Sequence, residues 1–343
     1  MKNLELLKKL CLATGVSGEE DAVRAIILEE VQPYADCVEV TPLGNVIAFK
    51  KGAERPVKKL MLCAHMDEVG FIITNITSEG FLKFTAIGAV RPEVLSGRSV
   101  LVNGKIPGVI CAKPVHLMGG DEREKAVPID RLAIDIGAKT REEAEEVVSI
   151  GDNACFLPYF EAARGTVKAK ALDDRAGCFV LLELMKTELK YDTYFVFSVQ
   201  EEIGMRGAGT AAYIVEPDAA INLEGTTAGD VAGVAPLDAV CKLGQGVAVS
   251  FMDRTTIYRK SYFQRALALG KELNIACQPK TASAGGNDSG VIHTTKNGAQ
   301  TLTLSVPCRY IHSPVAMAAE SDIEAAIALT GKLMEEISGG LLQ

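Results

Sequence analysis

From residue 166 to the end of the chain, apolar runs alternate between the two-residue period of strands and the 3.6-residue period of helices. Strand-like runs such as YDTYFVFSVQEE and AAINLEG are separated by helix-like runs such as ALDDRAGCFVLLELMKTEL and ESDIEAAIALTGKLMEEIS. Such alternation is typical of a mainly parallel sheet covered by helices. The sequence therefore predicts an α/β fold for this part of the chain.

The first 68 residues contain two helix-like and several strand-like segments that have no other core to pack against. We therefore expect them to join the same α/β domain. Ser17 and Glu20 form an S-x-x-E pattern, which predicts a capping box before a helix that ends at Pro33.

Residues 69–165 have a different sequence pattern, because Gly and Pro separate short strand-like runs there, such as FIITNI and PGVICAKP. A single helix is predicted, from Thr140 to about Ile150, with Thr140 and Glu143 as its capping box. The prediction is thus an α/β domain formed by 1–68 and 166–343, interrupted by a β-rich insertion at 69–165.

The overall composition excludes several classes of protein. The chain of 343 residues has a formal net charge of −8, which argues against nucleic acid or an anionic membrane as a partner. Its nine cysteines include no CxxC pair and are typical of a reducing compartment. The N-terminus lacks the apolar core of a signal peptide, and no run of about 18 apolar residues exists. We expect a soluble, cytoplasmic protein.

Five polar clusters lie where apolar strand runs end, which is where open α/β sheets bind ligands. Every cluster contains a histidine or a carboxylate, and none of them depends on cysteine. Such side chains suit a divalent cation in a hydrolytic site. The clusters are Ala64-His65-Met66-Asp67, Leu172-Asp173-Asp174-Arg175, Gln200-Glu201-Glu202-Ile203, Leu223-Glu224-Gly225 and Tyr310-Ile311-His312-Ser313-Pro314.

Each cluster taken alone has another interpretation. His65 could be a strand-end histidine beside a solvated acid, and Asp173 with Asp174 could cap a helix. The adjacent carboxylates of Glu201 and Glu202 would repel each other at a buried edge unless a cation compensates, so function and a solvated acidic end remain equally open. Structural roles are the simpler individual interpretation for Glu224, His312, His116 and His293.

Taken in order, AHMDEVGF, ALDDRAGC, EEIGMRGA and RYIHSPV resemble the TET (tetrahedral) aminopeptidases, a family of two-metal metallopeptidases that includes proteins called cellulase M, glutamyl aminopeptidase and deblocking aminopeptidase. The resemblance covers nearly the whole chain. It implies hydrolysis of the N-terminal peptide bond of short peptides. It also implies that the insertion is a PDZ-like domain used in assembly, and that dimers build a tetrahedral homododecamer.

The resemblance also implies roles for particular residues. Two divalent metal ions per subunit, zinc or cobalt with manganese as a further option, would share Asp173 as a bridging ligand. The Asp173-Asp174 peptide bond is often cis in related enzymes. The remaining implied roles are His65 and Glu224 for one metal, Glu202 and His312 for the other, Glu201 as general base, and Asp67 to orient His65.

The chain departs from the family pattern at two positions. Many relatives carry Asp where this chain has Glu224, and they often read Gly-Thr-Asp where it has Gly286-Asn287-Asp288. The second departure lies near the substrate side in the family, so specificity could differ here.

Two other functions are alternatives for this sequence. A cellulase-like glycoside hydrolase needs two carboxylates about 5–10 Å apart across a sugar, which adjacent Glu201 and Glu202 do not readily supply. The chain also has no Trp for sugar stacking. A non-catalytic scaffold is the second alternative, but competent residues occupy every implied metal and base position.

Overall fold

The computed structural model describes residues 1, 3–120, 124–281 and 285–342. Within them, eleven strands form one large sheet and six form a closed barrel. In order, the elements before the barrel are α1 (Leu4–Leu12), α2 (Asp21–Val31), β1 (Cys37–Val40), β2 (Val46–Lys50) and β3 (Leu60–His65). The barrel contains β4 (Gly70–Ile76), β5 (Leu82–Ile87), β6 (Ser99–Val102), β7 (Ile106–Cys111), β8 (Ala133–Asp135), α3 (Arg141–Glu145) and β9 (Asn153–Phe156).

The rest of the chain returns to the large sheet and supplies most of its helices. Its elements are β10 (Phe160–Ala163), β11 (Thr166–Ala169), α4 (Leu172–Met185), β12 (Thr193–Ser198), α5 (Arg206–Val215), β13 (Ala219–Thr227), β14 (Val247–Ser250), α6 (Lys260–Leu273), β15 (Cys277–Lys280), α7 (Ser289–Ile292), β16 (Gln300–Arg309), β17 (Ala316–Ala319) and α8 (Glu320–Ser338).

The large sheet is mixed, so the prediction of a mainly parallel sheet is wrong. Strands β12, β3, β13 and β16 are parallel neighbours at its centre, and β14 is parallel to β15. All other neighbouring pairs among the described strands of this sheet are antiparallel, including β1 with β2 and β10 with β11. Alternation along the chain identifies strands, but it does not show the direction in which an edge strand is added.

The central strands carry the core of the large domain. All six residues of β3 are buried, as are eight of the nine residues of β13, and α4 packs against both strands. Strands buried on both faces read as continuous apolar runs. Because these central strands are parallel, the carboxyl ends of β3, β12 and β13 lie side by side.

The β-rich segment forms a barrel with a separate core. Its strand order is β4-β5-β8-β7-β6-β9, and Phe71 contacts Phe84 and Phe156 edge to face. Strand β10 pairs with β11 in the large sheet, although the sequence analysis assigned residues 160–163 to the insertion. A short alternating run does not show which of two sheets it will join.

The two predicted capping boxes have different outcomes. Thr140 accepts a hydrogen bond from the Glu143 backbone N–H, as predicted, but α3 ends at Glu145 rather than near residue 150. The box before α2 is wrong, because that helix has no side-chain cap. Ser17 instead donates a hydrogen bond of 2.6 Å to Asp67.

A buried ionic cluster joins α1, the segment after β3 and α4. Lys170 Nζ and Arg175 Nη2 lie 2.6 Å and 3.2 Å from the same oxygen, Glu68 Oε1. Arg175 also donates to the carbonyl oxygens of Met66 and Leu10. Removing one partner of a buried ion pair is strongly destabilising, because the other charge remains buried without compensation. The cluster therefore holds the N-terminal helix against the segment that leads into the barrel.

Among the described residues, no helix is long and apolar enough to cross a membrane.

Glu68→Gln tests this cluster. The substitution leaves the buried cations of Lys170 and Arg175 without a counter-charge, so we expect the free energy of unfolding to fall by about 3–5 kcal/mol in urea titrations. Glu5→Gln is the control, because Glu5 pairs with Lys8 on the exposed face of α1. Equal stability of the two variants would contradict the structural importance of the cluster.

Candidate metal centre

The five polar clusters meet at the carboxyl ends of the central strands. His65 ends β3, Glu224 lies in β13, and the segment with Glu201 and Glu202 follows β12. Parallel strands place their carboxyl ends together, which explains why residues so distant in sequence converge. Asp173 enters from the first turn of α4, and His312 lies between β16 and β17.

Two groups of three side chains share Asp173. In the first, His65 Nε2 lies 3.2 Å from Glu224 Oε1 and 3.6 Å from Asp173 Oδ1. In the second, His312 Nε2 lies 3.3 Å from both Asp173 Oδ2 and Glu202 Oε1. Within each group one potential ligand atom per residue lies within 4.8 Å of the others. The two oxygens of Asp173 thus face different groups.

The donor set fits a pair of divalent cations. Asp173 Oδ1 is buried and accepts no hydrogen bond from any described residue. A buried anionic oxygen without a donor is costly, and a cation beside it would remove that cost. Carboxylate and imidazole ligands without cysteine are those of hydrolytic metal sites.

The pKa values show how strongly these side chains crowd one another. Burial, followed by the charges of Asp173 and Asp288, raises the pKa of Glu224 to about 8 despite the nearby His65. Burial alone would lower the pKa of His312, but the carboxylates of Asp173 and Glu202 outweigh it and raise that pKa to about 11. These side chains are therefore close enough to shift one another's pKa values, and binding of a cation to such groups is coupled to proton release.

Asp67 connects His65, which belongs to the first group, with the segment that carries Glu201 and Glu202. Its carboxylate accepts hydrogen bonds from the backbone N–H groups of Glu201 and Glu202, at 2.9 Å and 3.1 Å, and from Ser17. His65 Nδ1 lies 3.2 Å from the Asp67 carbonyl oxygen and 3.4 Å from its Oδ1. A hydrogen bond at Nδ1 fixes the ring orientation, so Asp67 aims His65 Nε2 at the first group.

Glu201 lies beside both groups but belongs to neither. Together with Asp173, Glu202, Glu224 and His312 it lines a cavity of about 720 Å³. Burial raises the pKa of Glu201 well above its usual range, and the neighbouring carboxylates of Glu224 and Asp288 add to this effect while His65 opposes it. Its position allows it to exchange a proton with a molecule in the cavity.

All seven predicted site residues come together in the structure, while two other histidines stand apart. His293 Nδ1 contacts the Ser289 carbonyl oxygen, and His116 is exposed. The Asp173-Asp174 peptide bond is cis. Asn287 lines the same cavity, where it donates to Asp253 Oδ2 at 3.0 Å.

Sequence reasoning missed several residues of the cavity wall. Arg91 and Arg98 reach it from the barrel, and Lys280 lines it from the end of β15. Nothing in a short segment such as CQPK distinguishes its lysine from a solvated one. Ser17 was also missed as a partner of Asp67, because its S-x-x-E context indicated a helix cap instead.

Comparison with known proteins identifies the class. The family model of the M42 glutamyl aminopeptidases matches residues 44–329. A putative aminopeptidase of Acetivibrio thermocellus is 41% identical over 328 residues, which cover 95% of this chain and 96% of that protein. The crystal structure of a TET aminopeptidase from Thaumarchaeota archaeon SCGC AB-539-E09 is 38% identical, with a TM-score of 0.94 over 98% of this chain and 97% of that one.

The TET1 peptidase of Pyrococcus horikoshii is a further structural relative. It is 33% identical, with a TM-score of 0.84 over 98% of both chains, and is described as assembling into a tetrahedron or a large octahedral shell. The chain belongs to the M42 family of aminopeptidases. It is a peptide hydrolase of the TET type, as the motif resemblance implied.

Asp67→Asn tests the connection between His65 and the segment that carries Glu201 and Glu202. Each carboxylate oxygen of Asp67 accepts a hydrogen bond from a backbone N–H group. In Asp67→Asn an NH₂ group replaces one of these oxygens and cannot accept a hydrogen bond, so it faces a donor whichever way the amide is turned. We expect kcat on an aminoacyl p-nitroanilide to fall about 10- to 100-fold, as for other residues that orient metal ligands. Asp36→Asn, which alters an exposed carboxylate, is the control. Normal turnover of Asp67→Asn would contradict the role of Asp67.

Proposed function

We propose that this chain is a two-metal aminopeptidase that removes the N-terminal residue from short peptides. The observation that carries the proposal is Asp173, whose two oxygens face two separate sets of ligand atoms. His65 and Glu224 would complete one cation site, and Glu202 and His312 the other. The carboxylate of Glu224 offers oxygen ligands that suit a divalent cation.

Two divalent cations, zinc or cobalt with manganese as a further option, would supply Lewis acidity toward the scissile carbonyl and lower the pKa of water. The protein's own residues supply the remaining functions. Asp67 holds His65 in its ligating orientation and fixes the backbone that presents Glu201 and Glu202. Glu201 would accept the proton of the attacking water and return it to the leaving amine.

Variants of Glu201 and Glu202 separate the base from the ligand. Gln at 201 keeps the shape of the side chain but accepts no proton, so we expect intact metal content and a kcat lowered by roughly 10²–10⁴. Gln at 202 removes an anionic ligand oxygen, so metal content should fall as well. The measurements are elemental analysis and steady-state kinetics on an aminoacyl p-nitroanilide, with carboxymethylcellulose as the comparison substrate for a glycoside hydrolase.

The two substitutions control for each other, since each removes one negative charge from the same turn. Exchanged phenotypes would mean that the two roles are reversed. A metal-replete Glu201→Gln enzyme with near-normal turnover would refute the general base.

We also propose that the chain assembles through its barrel, which would be the PDZ-like domain of the resemblance, into dimers and a tetrahedral dodecamer. The support is the assembly described for the Pyrococcus horikoshii relative, to which this chain is similar along its whole length. Light scattering should give a mass close to that of twelve chains. A strict monomer, with or without added divalent metal, would contradict the assembly.

A further inference from the structure

Asn222 lies on the same strand as Glu224 and forms a hydrogen bond with it. Both side chains are buried, and their spacing along β13 places them on one face of the sheet. Nδ2 of Asn222 donates to Glu224 Oε2 at 3.2 Å, whereas Glu224 Oε1 lies 3.2 Å from His65 Nε2. The two oxygens of this carboxylate therefore have different surroundings. Oε1 faces the first group of potential metal ligands, and Oε2 faces Asn222.

The orientation of the Asn222 amide is set by two acceptors. Its Nδ2 also donates to Asn287 Oδ1 at 3.2 Å, while its own Oδ1 is buried and accepts no hydrogen bond from any described residue. Turning the amide over would place Oδ1 against the acceptor oxygens of Glu224 and Asn287, and both hydrogen bonds would be lost. Asn222 therefore presents its NH₂ group, and not its oxygen, to Glu224.

Asn287 is held in turn by two partners whose roles as donor and acceptor cannot be exchanged. Its Oδ1 accepts a hydrogen bond from the backbone N–H of Ser289 at 3.0 Å, and its Nδ2 donates to Asp253 Oδ2 at 3.0 Å. A backbone N–H can only donate, and an ionised carboxylate can only accept. The Asn287 amide is therefore satisfied in one orientation, in which Oδ1 faces Asn222.

Asp253 anchors this series of hydrogen bonds. Its carboxylate is buried, and Oδ1 accepts from the backbone N–H groups of Thr255 and Thr256 at 2.8 Å and 2.9 Å. The hydroxyl of Tyr258 donates to Oδ2. Because its other contacts hold Asp253 in place, it offers Asn287 an acceptor at a defined position.

We propose that Asn222 is a positioning residue that restrains Glu224 through Oε2 and thereby directs Oε1 at the cation site that it shares with His65 and Asp173. Asn287 acts through Asn222, because it fixes the orientation of the amide. This inference rests on the two-metal function proposed above. It adds a support for one of the two cations that lies outside the groups of ligand atoms.

The other cation site offers an internal comparison. Its potential ligand atoms come from Glu202 and His312, with Asp173 shared. Among the described residues, neither Glu202 nor His312 forms a hydrogen bond with Asn222. Loss of the Asn222 amide should therefore weaken one cation and spare the other, which general destabilisation of the fold would not do.

The test is a Co²⁺ titration of the purified enzyme, dialysed against graded concentrations of free metal and followed by elemental analysis and by the visible absorption of the bound ion. Asn222→Leu keeps the approximate size of the side chain but removes both donors. Residues that orient metal ligands change metal affinity by about 10- to 100-fold, so we expect one of two Co²⁺ equivalents to weaken by that factor. Its absorption spectrum should change as well, while the other equivalent should bind as in the unmodified enzyme.

Ser305→Ala is the matched control. Ser305 in β16 lies beside Glu224 in the strand register and is buried, but its hydroxyl forms no hydrogen bond with any described residue. The substitution changes a polar group next to the ligand without removing a restraint, so both Co²⁺ equivalents should bind normally. A selective loss as large as in Asn222→Leu would overturn the proposal.

A double-mutant cycle tests the contribution of Asn287. Asn287→Ala alone should weaken the same Co²⁺ equivalent, because the Asn222 amide would no longer be held in one orientation. In the Asn222→Leu background it should add little, since the contact that it supports is already absent. Fully additive losses would contradict an action of Asn287 through Asn222.

The remaining outcomes are distinguishable. Two Co²⁺ equivalents of unchanged affinity in Asn222→Leu overturn the role of Asn222 but leave the aminopeptidase intact. Equal weakening of both equivalents indicates a general structural role and overturns it as well. If Asn222→Leu does not fold, Asn222→Ser, which also lacks the amide but leaves room for a water molecule, takes its place in the titration. An unmodified enzyme that binds no Co²⁺ refutes the proposed function and this inference with it.

Discussion

The carboxylate of Asp67 is the contact on which the geometry of the site depends. It is fully buried, and its acceptor capacity is used by the backbone N–H groups of Glu201 and Glu202 and by the Ser17 hydroxyl. The same residue faces His65 Nδ1. One anion therefore connects the segments that follow β3 and β12 with the loop before α2. Without it, no hydrogen bond from this residue would join the end of β3 to the turn that carries the two glutamates.

The candidate site could be predicted from sequence because its side chains have rare types at recognisable places. His65 and Glu202 stand at or just after the ends of apolar strands, and Asp173 precedes an apolar helix, so their local patterns point to the same sheet edge. The direction of the edge strands could not be predicted, because β10 and β11 alternate in the same way whether they pair in parallel or antiparallel. The partner of β11 on its other side, β17, lies about 150 residues further along the chain.

Lys280 and Ser17 illustrate a second limit of sequence reasoning. Their surroundings are set by the tertiary structure: Lys280 lines the cavity, and Ser17 donates to a carboxylate 50 residues away in sequence. A lysine at a strand end normally extends into solvent, and a serine three residues before a glutamate normally caps a helix. In both positions tertiary contacts override the local pattern. Such residues become apparent only when the partner of each buried polar group has been identified.

The barrel is attached to the large domain at two places, and one of them is the stretch 66–69 between β3 and β4. This connector contains Asp67 and Glu68, so the attachment of the barrel and the support of the candidate metal site depend on the same few residues. Within it, Glu68 forms buried ion pairs with Lys170 and Arg175, which attach the connector to the start of α4. A displacement of the barrel relative to the large sheet would reach His65 through only a few peptide units. The orientation of the barrel and the position of His65 are therefore coupled through this connector.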